Sequence, residues 1–380
     1  MAAETSAGKM NWDMIPYTGD KATASYEGER LFTKGNNTLR LRPLGKWAET
    51  ISADAEQNEQ NNFVPFSNDP AYREANRKLI EKSFGKYAPD EGFIHLDVGG
   101  GTGLMVQEGI GIAQNKGKKG RFIMVEPDEF AIVQAFNSTP SVDGISVNFV
   151  QGVGQEVEQI LDREIGPDGM VDSASVLDAI HEIRGIDNKR STTRGIVNRL
   201  KPGGILIENS AFTTIAQQDP RYGRWKFGAI HRSGGKRVKA RKEEVKLETA
   251  EQVEIKKTLD FQDSDSSKTA ILPPKFYVDL LTLPEEEGGF GMEVILKEEE
   301  TVQMSESALE GITTYPRFSE GFFEDVEFEE GTVVTIGDKI RWAKEAIKDI
   351  PAKDGVIALP RDWYNIIVQK PIGAPMPQAA

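Results

Sequence analysis

The sequence predicts an α/β protein built on a doubly wound, mostly parallel sheet, and three observations carry that prediction. Strand-length apolar runs alternate with segments of helical period from residue 93 to residue 207. Two of the runs, Phe93-Ile94 with Leu96 and Val98, and Phe122-Ile123-Met124-Val125, are apolar without clean alternation, as strands covered on both faces by helices must be. Between them a glycine turn, Gly99-Gly100-Gly101-Thr102-Gly103, leads from strand to helix.

The chain before this core is polar and irregular to about residue 65, with a low-hydrophobicity stretch at 53–62. Its scattered aromatics, Trp12, Tyr17, Tyr26, Phe32 and Trp47, leave two readings open, a loosely ordered leader or a lid over a pocket. A helix follows. Ser67-Asn68-Asp69-Pro70 caps it, Leu79, Ile80 and Phe84 give its apolar face, and Gly85 is expected to end it. Beyond residue 126, Phe130, Val133 and Phe136 mark the next helix and residues 145–150 a third strand. Val157, Ile160, Leu161 and Ile165 mark another helix and residues 170–177 a fourth strand. A helix ending at residues 196–200 and the turn Lys201-Pro202-Gly203-Gly204 lead to the fifth strand, Ile205-Leu206-Ile207.

The glycine turn has a chemical reading. Gly99, Gly101 and Gly103 let the backbone turn tightly at positive φ and approach a ligand with no Cβ in the way. The helix begun at Leu104 turns its N-terminal N–H groups toward that ligand. Glu126, at the end of the second strand, is placed to accept hydrogen bonds from a ribose. The glycines are spaced G-x-G-x-G, not G-x-G-x-x-G as for a dinucleotide, and Asp97 stands two residues ahead of the first. A carboxylate there suits a cationic or ammonium-bearing ligand better than a pyrophosphate.

The pattern Asp97-x-Gly99-x-Gly101-x-Gly103 with the strand-end acid Glu126 resembles the first two motifs of class I S-adenosylmethionine-dependent methyltransferases. Three further stretches, in the right order, are similar to later motifs of that family. Val147-Asn148-Phe149-Val150-Gln151-Gly152 resembles the third, but Val153 stands where an acid commonly contacts adenine. The resemblance therefore gives the adenine edge to Gln151 or to the backbone of Val153 or Gly154. Residues 172–183 resemble the fourth motif and Lys201-Pro202-Gly203-Gly204 the turn before the fifth strand. The family implies a seven-stranded sheet whose last strand is antiparallel. Gly291–Leu296 reads as a strand within the segment after residue 210, and residues 324–328 and 364–368 are the candidate late strands, with helices from Ser305 and over residues 339–347.

Methyl transfer from a sulfonium needs alignment first and a base only where the acceptor must lose a proton. Asp178, His181 and Glu182, after the fourth strand, are the catalytic candidates; a histidine is the side chain type whose reference pKa lies closest to neutral, which favours His181, and Asp178 is suited to holding the cofactor's ammonium or orienting the acceptor. Each also has a plain structural reading as a helix cap or surface residue. His95, inside the first strand, reads as a packed, hydrogen-bonded histidine. A basic run over residues 221–246 is either solvated surface or a patch for an anionic acceptor, with Tyr222, Trp225 and His231 as substrate-side candidates.

Composition narrows the classes. The chain has 380 residues, is 38% hydrophobic and 28% charged, and carries a formal charge of −14, which opposes generic affinity for nucleic acid or anionic membrane. With no cysteine there is no disulfide, thiolate metal site or cysteine nucleophile, which removes arsenite and cytosine-C5 methylation. Three histidines far apart make no metal cluster a default. No basic-then-apolar leader or membrane-length apolar run is found, so the expectation is cytoplasmic, with the homo-oligomeric state left open.

The expected organisation is an N-terminal lid and helix over 1–90, a cofactor-binding core over 91–210, a substrate-side insertion over 211–305, completion of the sheet over 306–370 and a flexible tail over 371–380. The expected function is methyl transfer from S-adenosylmethionine to a small molecule. The alternatives are an RNA or protein methyltransferase, a non-catalytic module binding the same cofactor, and an NAD-dependent oxidoreductase.

Overall fold

The computed structural model describes residues 20–22, 28–42, 64–183, 186–210, 274–314, 335–348 and 358–373. Among these described residues ten strands form one sheet: β1 (Asp20–Ala22), β2 (Arg30–Lys34), β3 (Asn37–Leu41), β4 (Glu91–Val98), β5 (Lys119–Glu126), β6 (Ile145–Gln151), β7 (Val171–Leu177), β8 (Leu200–Ser210), β9 (Glu293–Ser305) and β10 (Ala358–Gln369). Their order is β1-β2-β3-β6-β5-β4-β7-β8-β10-β9. From β3 to β8 every neighbouring pair is parallel, while β10 runs antiparallel to both β8 and β9.

Helices cover both faces, which is why the central strands are apolar on both sides. In chain order they are α1 (Val64–Ser67), α2 (Pro70–Lys82), α3 (Phe84–Tyr87), α4 (Leu104–Lys116), α5 (Glu129–Ser138), α6 (Val157–Ile165), α7 (Ile186–Arg199), α8 (Pro274–Thr282), α9 (Glu306–Thr314) and α10 (Ile336–Ile347). Leu79, Ile80, Phe84, Val106, Ile110 and Phe136 pack with Phe93, Phe122, Ile207 and Trp363 on one face. On the other, Val157, Leu161, Ile196, Tyr277 and Leu281 pack with Leu96, Ile123, Ala174, Leu206 and Ile366. Among the described residues no helix is long and apolar enough to cross a membrane.

The sheet is wider than the seven strands expected, because the N-terminal segment supplies three. Polar residues mask the alternation, but Asn37, Leu39 and Leu41 all turn inward. Gly35 (φ +57°) and Asn36 make a two-residue hairpin loop between β2 and β3. Lys34 locks the hairpin down, donating through Nζ to the Asn137 and Thr139 carbonyls at 2.7 and 2.9 Å. Part of the segment read as leader or lid is therefore sheet. Of its aromatics, Phe32 is in the core, while Trp12, Tyr17, Tyr26 and Trp47 lie outside the described residues.

Three other expectations are corrected. The stretch read as insertion contributes β9 to the sheet, beside β10, extending to Ser305 the run read as a strand at 291–296; residues 324–328 lie outside the described residues. Asp69 does cap α2, accepting from Ala71 and Tyr72 N–H at 3.0 Å, but the helix ends at Ser83, whose hydroxyl donates to Leu79 O at 2.6 Å, two residues before Gly85. Lys201-Pro202-Gly203-Gly204 is the kinked start of β8, not a separate turn: Gly203 has φ +80° and donates to Lys370 O.

A carboxyl on β8 sits inside this apolar architecture. Glu208 on β8 is buried, and burial pushes its carboxyl up to about 8 against the opposing pull of Lys189. An acid with a raised folded pKa stabilises the fold below its unfolded value, about 4.3, and loses that contribution as pH climbs through 8. Melting curves of Glu208→Gln and the parent chain should therefore differ more in the variant's favour at pH 9 than at pH 5; a difference independent of pH would contradict the assignment.

Candidate functional site

The carboxyl ends of β4, β5 and β7 meet at the glycine turn. Gly99, Gly101 and Gly103 have φ of +70°, +53° and +88°. They serve different ends. A Cβ on Gly99 would lie 2.5 Å from that of Ala179, so this glycine lets the turn after β4 touch the turn after β7. A Cβ on Gly103 would lie 2.9 Å from that of Ala135, so this one seats α4 against α5. At Gly101 a Cβ would meet nothing within 4 Å, leaving that backbone open to a ligand.

Glu126 closes the turn. Its Oε2 accepts from Gly101 N–H at 2.8 Å and its Oε1 from Asp128 N–H at 2.9 Å, and Asp128 in turn caps α5. A carboxylate has about four acceptor directions, so two remain. Burial first, then the neighbouring Asp128 charge, raises its pKa to about 8.

Asp97 is held from below by a buried chain of hydrogen bonds. Ser175 Oγ donates to Asp97 Oδ1 at 2.6 Å. Having given its proton, Ser175 must accept from His95 Nε2 at 2.9 Å, which leaves His95 Nδ1 to accept from Ser173 Oγ at 2.7 Å. Burial holds His95 neutral, with a pKa of about 3, in keeping with a packed histidine. Burial also raises Asp97 to about 7, which the Ser175 bond opposes. Its second oxygen, Oδ2, has no hydrogen-bond partner among the described residues.

The turn after β7 lies alongside. Asp178 has φ +52°, the left-handed region that non-glycine residues rarely occupy, and its N–H points at both oxygens of Asn209, Oδ1 at 2.9 Å and the main-chain carbonyl at 3.0 Å. His181, buried in the turn Ile180–Glu182, faces Ser210 Oγ through Nδ1 at 3.2 Å. Lys189 pins this turn, donating to the carbonyls of Ile180, His181 and Ile183 at 2.6, 3.3 and 2.5 Å. The side chain of Glu182 lies outside the described residues, as do Tyr222, Trp225, His231 and the whole basic run.

The third-motif residues are occupied with structure. Gln151 accepts from Arg42 N–H through Oε1 and donates through Nε2 to Pro127 O, both at 3.2 Å, so its amide locks β6 to its surroundings. Gly154 is demanded by packing, since a Cβ there would lie 2.5 Å from Thr192 Cγ2. Val153 opens the short turn Gly154–Glu156, its carbonyl accepting from Glu156 N–H.

Helices α1 and α2, from the segment expected to give an N-terminal lid and helix, roof this edge through side-chain bonds that were not foreseen. Thr102 Oγ1 donates to Ser67 Oγ at 3.0 Å, tying α1 to the glycine turn, and Asn209 Nδ2 donates to Asn76 Oδ1 at 2.9 Å, tying α2 to β8. Tyr72, one helical turn before Asn76, is buried between Phe66 and Trp363, and its hydroxyl pKa is raised by burial and by the charges of Asp178 and Asp97. The available signal was polar residues in strands covered on both faces: Ser173 and Ser175 in β7, and Asn209 and Ser210 closing β8. Among the described residues no cluster of metal-ligating side chains forms.

Neither a protein-family model nor a curated protein matches the chain. Solved structures with a similar chain path include the N-methyltransferase NodS of Bradyrhizobium japonicum WM9 in complex with S-adenosyl-L-homocysteine, 12% identical over 84% of this chain and 97% of NodS, with a TM-score of 0.42. The plantazolicin methyltransferase BpumL, in complex with a triazolic desmethylPZN analog and the same product, is 11% identical over 85% of this chain and 90% of its own, with a TM-score of 0.35. The [4+2]-cyclase SpnF is 15% identical over 80% and 82%, with a TM-score of 0.39. These likenesses carry no argument about chemistry, which rests on the site's own residues.

The two central glycines make separable demands. Gly101→Ala, strained at φ +53° but sterically open, should cost about 1–2 kcal/mol in denaturant unfolding. Gly99→Ala adds a collision with Ala179 and should cost clearly more; equal losses would show that the two turns do not touch as described.

Proposed function

We propose that the chain is a methyltransferase using S-adenosylmethionine and acting on a small molecule. One juxtaposition carries the reading: the sterically open backbone of Gly101, flanked by the buried carboxylates of Asp97 and Glu126. The residues fit such a ligand. Asp97 Oδ2, buried and without a partner among the described residues, matches a cationic group. The two remaining acceptor directions of Glu126 match a pair of ribose hydroxyls, and the turn Gly99-Gly100-Gly101-Thr102-Gly103 itself carries no cationic side chain of the kind a pyrophosphate would want. The closeness of the α1–α2 roof favours a small acceptor over a polymer.

When bound, the cofactor supplies an electrophilic methyl group on sulfonium sulfur, open to in-line displacement. The residues of this chain align and shield. The Thr102–Ser67 bond ties the roof to the turn, Lys189 fixes the backbone of the loop bearing His181, and His181 takes the proton from an acceptor that must lose one. Ser210, hydrogen-bonded to its Nδ1, orients it.

Binding should report the charge of Asp97. With a pKa of about 7 before ligand arrives, Asp97 must lose its proton to meet a cation, so S-adenosylmethionine affinity should fall roughly tenfold per pH unit below 7 and level off above it. Ser175→Ala removes the bond that stabilises the carboxylate and should move the midpoint to higher pH, whereas Asp97→Asn should bind weakly at every pH. Calorimetric titrations between pH 5.5 and 8.5 check this. A pH-independent affinity in the parent chain, or no affinity, would count against the assignment.

A further inference from the structure

His95 is buried in β4 against the rings of Phe84 and Phe122, whose centroids lie 5.3 and 5.6 Å from its own, both edge-on. An apolar side chain would suit those neighbours, because a buried imidazole must find partners for two ring nitrogens. The parallel register supplies them. His95 stands opposite Ser173 and Asp97 opposite Ser175, so four polar side chains alternate across the β4–β7 seam. Each meets the next: Ser173 Oγ lies 2.7 Å from His95 Nδ1, His95 Nε2 lies 2.9 Å from Ser175 Oγ, and Ser175 Oγ lies 2.6 Å from Asp97 Oδ1. The chain climbs toward the carboxyl edge of the sheet and ends on the Asp97 carboxylate.

An ionised Asp97 fixes the sense of donation. A carboxylate only accepts, so Ser175 gives it a proton and must take one from His95 Nε2, while Nδ1 accepts from Ser173. In the other tautomer the lone pairs of Nε2 and Ser175 Oγ would face each other. With Oδ1 held by Ser175, Oδ2 is the oxygen left over. It is buried, has no hydrogen-bond partner among the described residues, and lies against the glycine turn, since a Cβ on Gly100 would come within 2.7 Å of it. Turning the carboxylate would break the Ser175 bond, so the buried chain decides which oxygen faces the turn.

We propose that His95 is a positioning residue: acting through Ser175, with Ser173 fixing its tautomer, it holds the Asp97 carboxylate so that Oδ2 meets the cationic end of the bound adenosyl ligand. The proposal rests on the cofactor reading and deepens it. An apolar residue at position 95 would fill the space without directing the carboxylate, so the polar chain specifies an orientation.

Calorimetry on the full chain compares S-adenosylhomocysteine with 5′-methylthioadenosine, which lacks the cationic amino-acid end, in the parent chain, His95→Leu and His95→Gln. His95→Leu removes the donor to Ser175 and should weaken S-adenosylhomocysteine roughly tenfold while leaving methylthioadenosine within about twofold. His95→Gln keeps an N–H that can reach Ser175 and should recover most of that loss. If the leucine variant does not fold, Ser173→Ala, which frees the tautomer, should show the same pattern with a loss of about threefold. A histidine that only packs would lower the melting temperature on substitution and either spare both affinities or weaken both alike.

In an Asp97→Asn background the substitution at position 95 should add no further loss of S-adenosylhomocysteine, because the carboxylate it directs is gone. Nitrogen NMR of the chain labelled at histidine, with His95 identified by its disappearance in His95→Gln, should show Nε2 protonated and Nδ1 bare when S-adenosylhomocysteine is bound. Unchanged affinities, equal losses for the two ligands, additive losses with Asp97→Asn, or an Nδ1–H imidazole each overturn the proposal while leaving the cofactor reading standing. Failure of the parent chain to bind either adenosyl ligand overturns both.

Discussion

The hydrogen bond from Gly101 N–H to the Glu126 carboxylate is the constraint on which the site depends. It closes the turn after β4 onto the end of β5, with Gly99 N–H on Val125 O completing the clasp. Once the turn is drawn to that side, its open backbone faces outward at Gly101, α4 starts where Gly103 meets Ala135, and Gly99 is left against Ala179. The β4–β5 and β4–β7 contacts are thus set together. The parallel strands bring their carboxyl ends to one edge, and that edge is where a doubly wound sheet offers a binding crevice.

The second constraint is desolvation. Asp97, Glu126 and Glu208 are all carboxyls in apolar surroundings, and in each burial is the leading cause of a raised pKa. Glu208 is sealed within the sheet. Asp97 and Glu126 border the open turn, so a ligand can meet their charge. This contrast between similar acids lets the fold hold charge in reserve where chemistry needs it. The neutral His95 beneath Asp97 belongs to the same economy, since it supplies a directed donor without adding a charge.

Much of the fold was legible because a parallel core repeats a simple pattern. Strands 93–98, 122–125 and 145–150 and the glycine turn are each set by local sequence, and they appear where apolar runs and positive-φ glycines place them. The β2–β3 hairpin was hidden because its outward residues are polar and its partner, β6, lies more than a hundred residues away. The start of β9 falls in the run 291–296 that reads as a strand, but the charged Lys297, Glu298, Glu299 and Glu300 made the rest look like loop; backbone pairing with β10 holds it in the sheet. The residues around Gly101 could be read from spacing alone. Tyr72, Asn76 and Asn209 could not, because helix α2 meets strand β8 only after the chain has folded. Gln151 was singled out by its place in the motif, and what the sequence did not show is that its amide bonds Arg42 N–H and Pro127 O.

The central claim is that the open backbone at Gly101 seats an adenosyl ligand between Asp97 and Glu126. A crystal structure grown with S-adenosylhomocysteine and NAD present together tests it most directly. The account predicts density for S-adenosylhomocysteine alone, with its ribose on Glu126 and its amino-acid end on the Asp97 side of Gly101. Density for NAD at the turn, or an adenosyl ligand bound elsewhere while the turn stays empty, would contradict it.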